Sequence, residues 1–542
     1  VIIFLEFSQL QSTTAICPSL FNATTAQDGI LSRVRLPAGL ITSTQCEVLV
    51  QVVNQFGNGE LQITNRANLQ IRTSQALPEE VLLDLQDYGL ASCTESTDGL
   101  RNIMASPNAG IDAYALINTI PLVKAWNFYL LQHPELAILS NKFSICFDGG
   151  ESIRVSDRPN DICLVAVEIN GDIYFDLHLG LGDRGDSPLS VGVLIHRNQV
   201  LESLVALTEI YQQYTEQQLE QQIYSRSRPP RLRDLLNDWG VEKYLSLVRE
   251  ELGSPLPPLQ RGALDHLDNP NNQVALFKGD EELRSPLPPL ERGALDRLDN
   301  PNNQVPLCKG DAEGRGITSL NEAISSRLER ASFKHIGIHS QKQSGLFYIG
   351  VVIPLGRVTS FQLQELANLA KQYGGGALRL TPWQNLLITD IAEVDLEQVT
   401  QEILNLGLSI SANHPYAAIA ACSGYKGCKS AYTDTQADAK QVAAYLESCI
   451  QLDHPINIHF SGCEKSCAQH HPSDIAVVGT GGSNTEIYRV YVGDGDYNFG
   501  REIYTEYDAK ALPTLIEQLL RDYQNQRRDS SQTFREFVNQ QS

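Results

Sequence analysis

No apolar run in this sequence is long enough to span a bilayer. The stretch "VIIFLEF" at its start has seven residues, where a spanning helix needs about 20. It has no basic flank and no small-residue cleavage site, so it is not expected to be a signal peptide. Cysteine is sparse: 11 in 542 residues, and an odd number. That excludes a disulfide scaffold and points to a reducing, cytoplasmic setting. Basic residues are outnumbered, 42 Lys and Arg against 64 Asp and Glu, for a net charge of −22. A general nucleic-acid binder is excluded, while a local basic pocket for an anion is not. No glycine-rich flavin or nicotinamide fingerprint is present, so redox chemistry here would need a separate electron donor. The length calls for two to four domains.

What the sequence does have is a duplication. "LPAGLITSTQCEVLVQVVNQFGNGELQITNRANLQI" (36–71) aligns without a gap on "IPLGRVTSFQLQELANLAKQYGGGALRLTPWQNLLI" (353–388), 317 residues on. Fourteen of the 35 positions from 37 to 71 are identical. Each copy reads as a short strand, a Thr-Ser helix N-cap and an amphipathic helix ended by Gly-x-Gly. Two β-rich stretches follow. Two such βαββ-like α+β units suggest a pseudo-two-fold protein with a site between its halves; duplication for stability alone is the plainer alternative. The copies differ in charge. Arg33, Arg35 and Arg66 face Gly350, Val352 and Trp383, the pattern of one anion site surviving from a symmetric ancestor.

A second repeat is of another kind. "SPLPPLQRGALDHLDNPNNQVALFKGD" (254–280) recurs at 285–311 with 23 of 27 positions identical. Proline-rich starts and Asn-Pro-Asn-Asn read as extended chain and turns, so 250–315 is expected to be a repetitive insertion or linker. Elsewhere "DICLVAVEINGDIYFDLHLG" reads as a hairpin closed by Asn-Gly, and "NQVLESLVALTEIYQQYTEQQLEQQ" as a long helix. "DTQADAKQVAAYLES" reads as a helix between two cysteine pairs, and "INIHFSG" and "DIAVVGT" as strands around the second pair.

Those pairs are "CSGYKGC" (422–428) and "CEKSC" (463–467). Zinc usually takes Cys-x2-Cys knuckles, and Cys-x5-Cys with Cys-x3-Cys fits them poorly. A disulfide clashes with the compartment. Four thiolates on two loops suit an iron–sulfur cubane, with scattered structural thiols as the alternative. Gly424, Gly427 and Gly462 would let backbone N–H groups approach its sulfides.

Cys-x5-Cys followed by Gly-Cys-x3-Cys, on a chain with a duplicated module, resembles the nitrite/sulfite reductase superfamily. The resemblance implies a duplicated α+β architecture: two ferredoxin-like half-domains (20–80 and 335–395) and two α/β lobes (90–230 and 410–525), related by pseudo-two-fold symmetry. It implies that Cys422, Cys428, Cys463 and Cys467 hold a [4Fe–4S] cluster, with Cys467 as the bridge to a sirohaem iron. Arg33, Arg101 and Lys142 match the residues that line the superfamily's anion site. Ser144 stands where a second lysine is expected, which weakens the case for nitrite or sulfite.

The finer wording is most similar to the precorrin-3B synthase branch: "RLPAG", "ITNRANLQIR", "SPNAGID", "CSGYKGCKSAYTDTQADAK" and "FSGCEKSCAQHHPSDIAVVG". That resemblance implies a monooxygenase of cobalamin biosynthesis. With dioxygen it would hydroxylate precorrin-3A and close a lactone, using the cluster and a mononuclear non-haem iron. Arg35, Arg66 and Arg72 would join Arg33 in holding the substrate carboxylates. His470 and His471 are the iron candidates, with Asp474 and His459 nearby. A separate ferredoxin or NAD(P)H reductase would supply electrons, and neither nucleic acid nor membrane is expected as a partner. Two alternatives stand beside this reading: a sirohaem-dependent ferredoxin nitrite or sulfite reductase, and a tetrapyrrole-binding protein without catalysis.

Overall fold

The computed structural model describes residues 18–182, 185–253, 333–469, 472–481, 486–497 and 499–541. The repetitive insertion falls almost wholly in 254–332, outside the described residues. Among the described residues no helix is long and apolar enough to cross a membrane.

The first copy runs β1 (Thr24–Ala26), β2 (Gly29–Val34), β3 (Leu40–Thr42), the helix Ser43–Phe56, β4 (Gly57–Ile63) and β5 (Leu69–Thr73). Its helix starts on a capping box: the Thr42 side chain accepts from Gln45 N, and Gln45 returns to the Thr42 N–H. The first lobe follows, with β6 (Ile103–Ala105), β7 (Ile145–Asp148), β8 (Ile162–Ile169), β9 (Asp172–Leu179) and β10 (Leu189–His196). The β8–β9 hairpin turns at Asn170 and Gly171, both at positive φ, as the Asn-Gly pair predicts. The long helix spans Val200–Glu220.

The second copy has β11 (Gly337–Ser340), β12 (Leu346–Val351), β13 (Arg357–Thr359), the helix Ser360–Tyr373, β14 (Ala377–Leu380) and β15 (Leu386–Ala392). Its helix opens on the same capping box, Thr359 with Gln362. The second lobe contributes β16 (Ile419–Ala421), β17 (Ile458–Ser461), β18 (Ile475–Thr480), β19 (Ile487–Tyr497) and β20 (Gly500–Asp508). The helix Thr435–Cys449 crosses between β16 and β17.

The two copies exchange strands. β3 leaves its own copy and pairs with β14, while β13 pairs with β4, giving sheets β1-β2-β5-β4-β13 and β11-β12-β15-β14-β3. Leu49, Val53 and Ile71 of one copy and Leu366, Ala370 and Ile388 of the other share one buried core. The Gly-x-Gly stop works in two steps. A Cβ on Gly57 or Gly374 would meet a neighbouring carbonyl oxygen at 2.7 or 2.4 Å. Gly59 and Gly376 then supply the positive φ, +75° and +74°.

The lobes also correspond, as the superfamily resemblance implies. Their sheets run β10-β9-β8-β7-β6 and β16-β17-β18-β19-β20. In each, two parallel pairings lead to two antiparallel ones. Ile145 pairs with Ile162 as Ile458 pairs with Ile475.

Candidate active site

Parallel strands deliver their following loops to the same edge of a sheet, and that property builds the cysteine site. β16 and β17 pair with Ala421 opposite Phe460. Cys422 and the Gly462–Cys463 step therefore emerge side by side. The Cys422 N–H donates to the Phe460 carbonyl at 3.0 Å, and the Gly462 N–H points at Cys422 Sγ at 3.2 Å. Tyr432 N–H donates to the Gly462 carbonyl at 2.8 Å, and Lys465 Nζ reaches Ser430 Oγ at 2.8 Å, stitching the two loops together. A Cβ on Gly462 would lie 2.5 Å from Ala431 Cβ, so only glycine lets the loops close.

None of the four cysteines is in a disulfide; three are half-buried and Cys467 is exposed. Among the described residues no three His, Cys, Asp or Glu side chains gather as around a single ion. A cubane spreads its thiolates over four corners and does not require such a gathering. An amide N–H aimed at a sulfur, stitched loops and a glycine at the closest approach all fit a cluster. Cys46 lies in an apolar core, where burial pushes its thiol upward and leaves it inert.

Beside this loop lies a cavity of about 200 Å³ to which all four units contribute. Ala468 and Gln469, directly after Cys467, form part of its wall, as do Ala420 and Asn457. The first half-domain contributes Asn65 and Arg66, the second Trp383 and Gln384, and the first lobe Met104, Arg158 and Pro159. Asn65 Nδ2 donates to the carbonyls of Cys467 and Ala468 at 3.4 Å each.

The matched positions Arg66 and Trp383 grip one segment from two sides. Arg66 donates to Asn160 Oδ1 at 2.7 Å and to the Pro159 carbonyl at 2.5 Å. The Arg158 guanidinium lies 4.5 Å over the Trp383 ring, a cation–π contact. His335 stacks on Trp383 at 4.5 Å. Burial, then the positive charges of Arg158 and His339, lowers its pKa from 6.5 to about 3. His335 is therefore neutral, and its Nε2 is buried with no hydrogen-bond partner among the described residues.

Of the arginines singled out from sequence, Arg66 lines the cavity. Arg35 is fully buried against Asn102 and Asp98, at 3.2 and 3.5 Å. Arg101 holds the other oxygen of Asp98 at 3.5 Å, together with Asn127 and the Gly89 carbonyl; burial lowers its pKa and Asp98 opposes that. Arg72 pairs with Asp28 at 2.7 Å and donates to Ser423 Oγ at 3.0 Å, so it braces the first cysteine loop. Arg33 sits in β2 opposite Gln70, half-buried and outside the wall. Lys142 is exposed on the turn before β7. Ser144 donates to Asp161 Oδ2 at 3.0 Å, and Asp161 also holds Arg231 at 3.0 Å. The structure does not gather Arg33, Arg101 and Lys142 at the cavity. His470 and His471 lie outside the described residues, and Asp474 accepts from the Asn457 N–H at 2.8 Å. Arg158 and His335 were missed; no motif marks either.

Family models match nearly the whole described chain. The nitrite/sulfite reductase ferredoxin-like half domain matches residues 25–78 and 339–406. The nitrite and sulphite reductase 4Fe-4S domain matches 96–256 and 416–533. A ferredoxin–nitrite reductase from Synechococcus elongatus is 26% identical over 509 residues, 90% of this chain and 85% of that protein. A chloroplastic ferredoxin–nitrite reductase from Zea mays is 26% identical over 85% of this chain and 72% of its own length. An assimilatory ferredoxin-dependent nitrite reductase from Haloferax mediterranei is 25% identical over 89% of this chain and 75% of its own. The solved structure of the Mycobacterium tuberculosis NirA protein superposes with a TM-score of 0.67 at 22% identity, covering 94% of this chain and 83% of that one.

These relatives overturn the expectation of a precorrin-3B synthase. With it go the monooxygenase activity, precorrin-3A, dioxygen and the place in cobalamin biosynthesis; the mononuclear iron, implied by that reading alone, is not carried further. The reason is physical. The wording that suggested the synthase spells out turns of the shared fold. In "RLPAG" Ala38 and Gly39 take positive φ, as Leu355 and Gly356 do in the second copy. In "ITNRAN" Thr64 Oγ1 accepts from Asn68 N at 3.1 Å and Asn68 Oδ1 from Leu36 N at 2.8 Å; Thr381 and Asn385 repeat both bonds. In "SPNAGID" Ser106 Oγ donates to the Ile153 carbonyl at 2.6 Å, and in "TDTQAD" Asp434 caps a helix. Such residues specify backbone and not substrate. The chain belongs to the nitrite and sulphite reductase family, as an iron–sulfur oxidoreductase with two ferredoxin-like half-domains and two lobes.

Proposed function

We propose that the chain is a ferredoxin-dependent nitrite reductase. In this reading Cys422, Cys428, Cys463 and Cys467 would hold the [4Fe–4S] cluster, and the cavity beside Cys467 would take a sirohaem. Residues 20–80 and 335–395 are the half-domains, 90–230 and 410–525 the lobes, and 250–315 an insertion. The carrying observation is that Ala468 and Gln469, immediately after Cys467, form part of the cavity wall. The names of the relatives support nitrite as substrate and ferredoxin as donor.

When bound, the two groups supply the electron path and the metal centre that takes the nitrogen of nitrite. The protein's own residues orient and charge the pocket. Arg66 and Arg158 put two cations at the wall of a cavity whose remaining lining is neutral, where a carboxylate-bearing macrocycle and an anionic substrate both gain. Trp383 presents a flat apolar ring beside them. His335, neutral and stacked behind Trp383, adds no charge to that wall. Arg33, Arg101 and Lys142, which the superfamily resemblance offered for the anion, lie off the cavity wall, so this reading gives nitrite Arg66 and Arg158. Asp98 already compensates Arg101, so its approach to substrate requires a change of partner.

The test is anaerobic nitrite consumption by the holoprotein with chemically reduced ferredoxin. Turnover that depends on ferredoxin supports the reading. A protein with full cluster and bound tetrapyrrole that consumes no nitrite would instead be the non-catalytic binder.

A further inference from the structure

The lobe without cluster cysteines carries sulfur of its own. In the second lobe, the sheet face turned away from the helices has Ala420, His459 and Ala476 in register across β16, β17 and β18. In the first lobe the corresponding row is Met104, Cys146 and Cys163, across β6, β7 and β8. Register partners in a sheet share a face and lie about 4.8 Å apart. Their strand neighbours Ile103, Ile145 and Ile162 point the other way, into the main core of the lobe. The row forms a small separate cluster with Val155 and Val165, and Trp383 packs on it.

All three sulfur residues are buried, with Cys146 and Cys163 at 0% exposure and Met104 at 3%. Met104 is the sole methionine of the 542-residue chain, and it also lines the cavity. Asn160 Nδ2 donates to its thioether at 3.9 Å, and Arg66 holds the same Asn160 by its oxygen. Cys146 and Cys163 are direct register partners on adjacent parallel strands, and the Cys146 thiol donates to the Val155 carbonyl at 3.7 Å. Two buried thiols alone would be small hydrophobes. Two thiols and a thioether in one row, the thioether in the cavity wall and oriented by a polar side chain, are the donor set of a soft cation.

We propose that Met104, Cys146 and Cys163 form a three-sulfur site for a soft monovalent cation, copper(I) in chemical class, reached from the cavity past Met104. Loading is ligand exchange with no electron transfer. Two S–H bonds break, two protons leave to solvent, and two metal–thiolate bonds and one metal–thioether bond form. Burial disfavours both thiolates, so a cation must be strongly thiophilic to displace the protons. Magnesium, calcium and zinc, which want oxygen donors or four ligands, are selected against. The site stands whether or not nitrite is the substrate.

The experiment uses the anaerobic holoprotein, titrated with copper(I) buffered by a chromophoric chelator, with copper per chain and cluster absorbance read together. Wild type is expected to take one copper at a free concentration that leaves the cluster absorbance unchanged. Cys163→Ala should lose that copper and keep its cluster, and Met104→Leu, close in volume, should bind about tenfold or more weakly. Equal copper in wild type and Cys163→Ala would overturn the proposal, as would cluster loss in step with the first copper. Mass spectrometry showing Cys146 and Cys163 joined as a disulfide in the purified protein would overturn it too. A copper-edge X-ray absorption spectrum of wild type decides even where a variant fails to fold. A shell of two or three sulfurs is expected, and nitrogen, oxygen or iron neighbours would refute the site.

Discussion

Gly462 is the point where the two cysteine loops come closest, and replacing it is a direct test of how the cluster site is built. A methyl group there would lie 2.5 Å from Ala431 Cβ and 3.6 Å from Cys422 Sγ. Two carbons are comfortable at about 3.5–4.0 Å, so the loops must part by about 1 Å. Ala431 cannot yield alone. Its N–H is bonded to the Cys428 carbonyl at 3.2 Å, and Tyr432 N–H is bonded to the Gly462 carbonyl at 2.8 Å. Overpacking of this sort costs about 1–3 kcal/mol. Since the strain moves cluster ligands, most of it should appear as weaker cluster retention, about five- to a hundredfold. The assay is iron and sulfide per chain, and the extent of cluster loss to an iron chelator, for Gly462→Ala against wild type. Gly253→Ala is the control, because a Cβ there meets no atom of the described residues within 4 Å. Wild-type cluster retention in Gly462→Ala would show that the loops do not need this close approach.

Other consequences can be checked separately. Changing Cys422, Cys428, Cys463 or Cys467 to Ala should abolish the cubane EPR signal, while Cys93→Ser, an exposed thiol elsewhere, should leave it intact. Arg66→Ala removes a bidentate donor from the cavity wall; tetrapyrrole affinity should fall about ten- to a hundredfold with the cluster spectrum unchanged, and unaltered affinity would place the macrocycle elsewhere. His335, with its pKa lowered from 6.5 to about 3, binds a proton more readily unfolded than folded. Its contribution to stability is therefore intact above pH 6.5 and is lost as pH falls toward 3. Between pH 6.5 and 5 the loss should be about 2 kcal/mol. Urea unfolding should show that slope in wild type and a flatter one in His335→Phe; identical slopes would remove His335 as its source.

The half-domains were legible because local chemistry repeats there: Thr-Ser caps, Gly-x-Gly stops and Thr/Asn turns recur 317 residues apart. The strand exchange was not. β3 and β13 have the same apolar pattern whether they pair within a copy or between copies, and only the tertiary register tells these apart. The kinship of the lobes came only from the family resemblance and not from the residues themselves, because what the lobes share is a few buried apolar positions, such as Ile145 with Ile458 and Phe147 with Phe460. The cysteine loops were readable from spacing. The arginines were readable only in part: Arg66 lines the cavity, Asp98 consumes Arg35 and Arg101, and Arg158, in an unremarkable Arg-Pro-Asn-Asp stretch, also reaches the cavity. The substrate was misread because residues that shape turns resemble each other across enzymes of one fold.

The central claim is that the cavity beside Cys467 holds a sirohaem coupled to the cluster, where nitrite binds. The most direct measurement is the absorption and EPR spectrum of the anaerobically purified holoprotein, with iron, sulfide and tetrapyrrole quantified, before and after nitrite. The account predicts one sirohaem per chain whose spectrum shifts on adding nitrite, and loss of that sirohaem in Cys467→Ala. A protein with a full cluster, no tetrapyrrole and no spectral response to nitrite would contradict it.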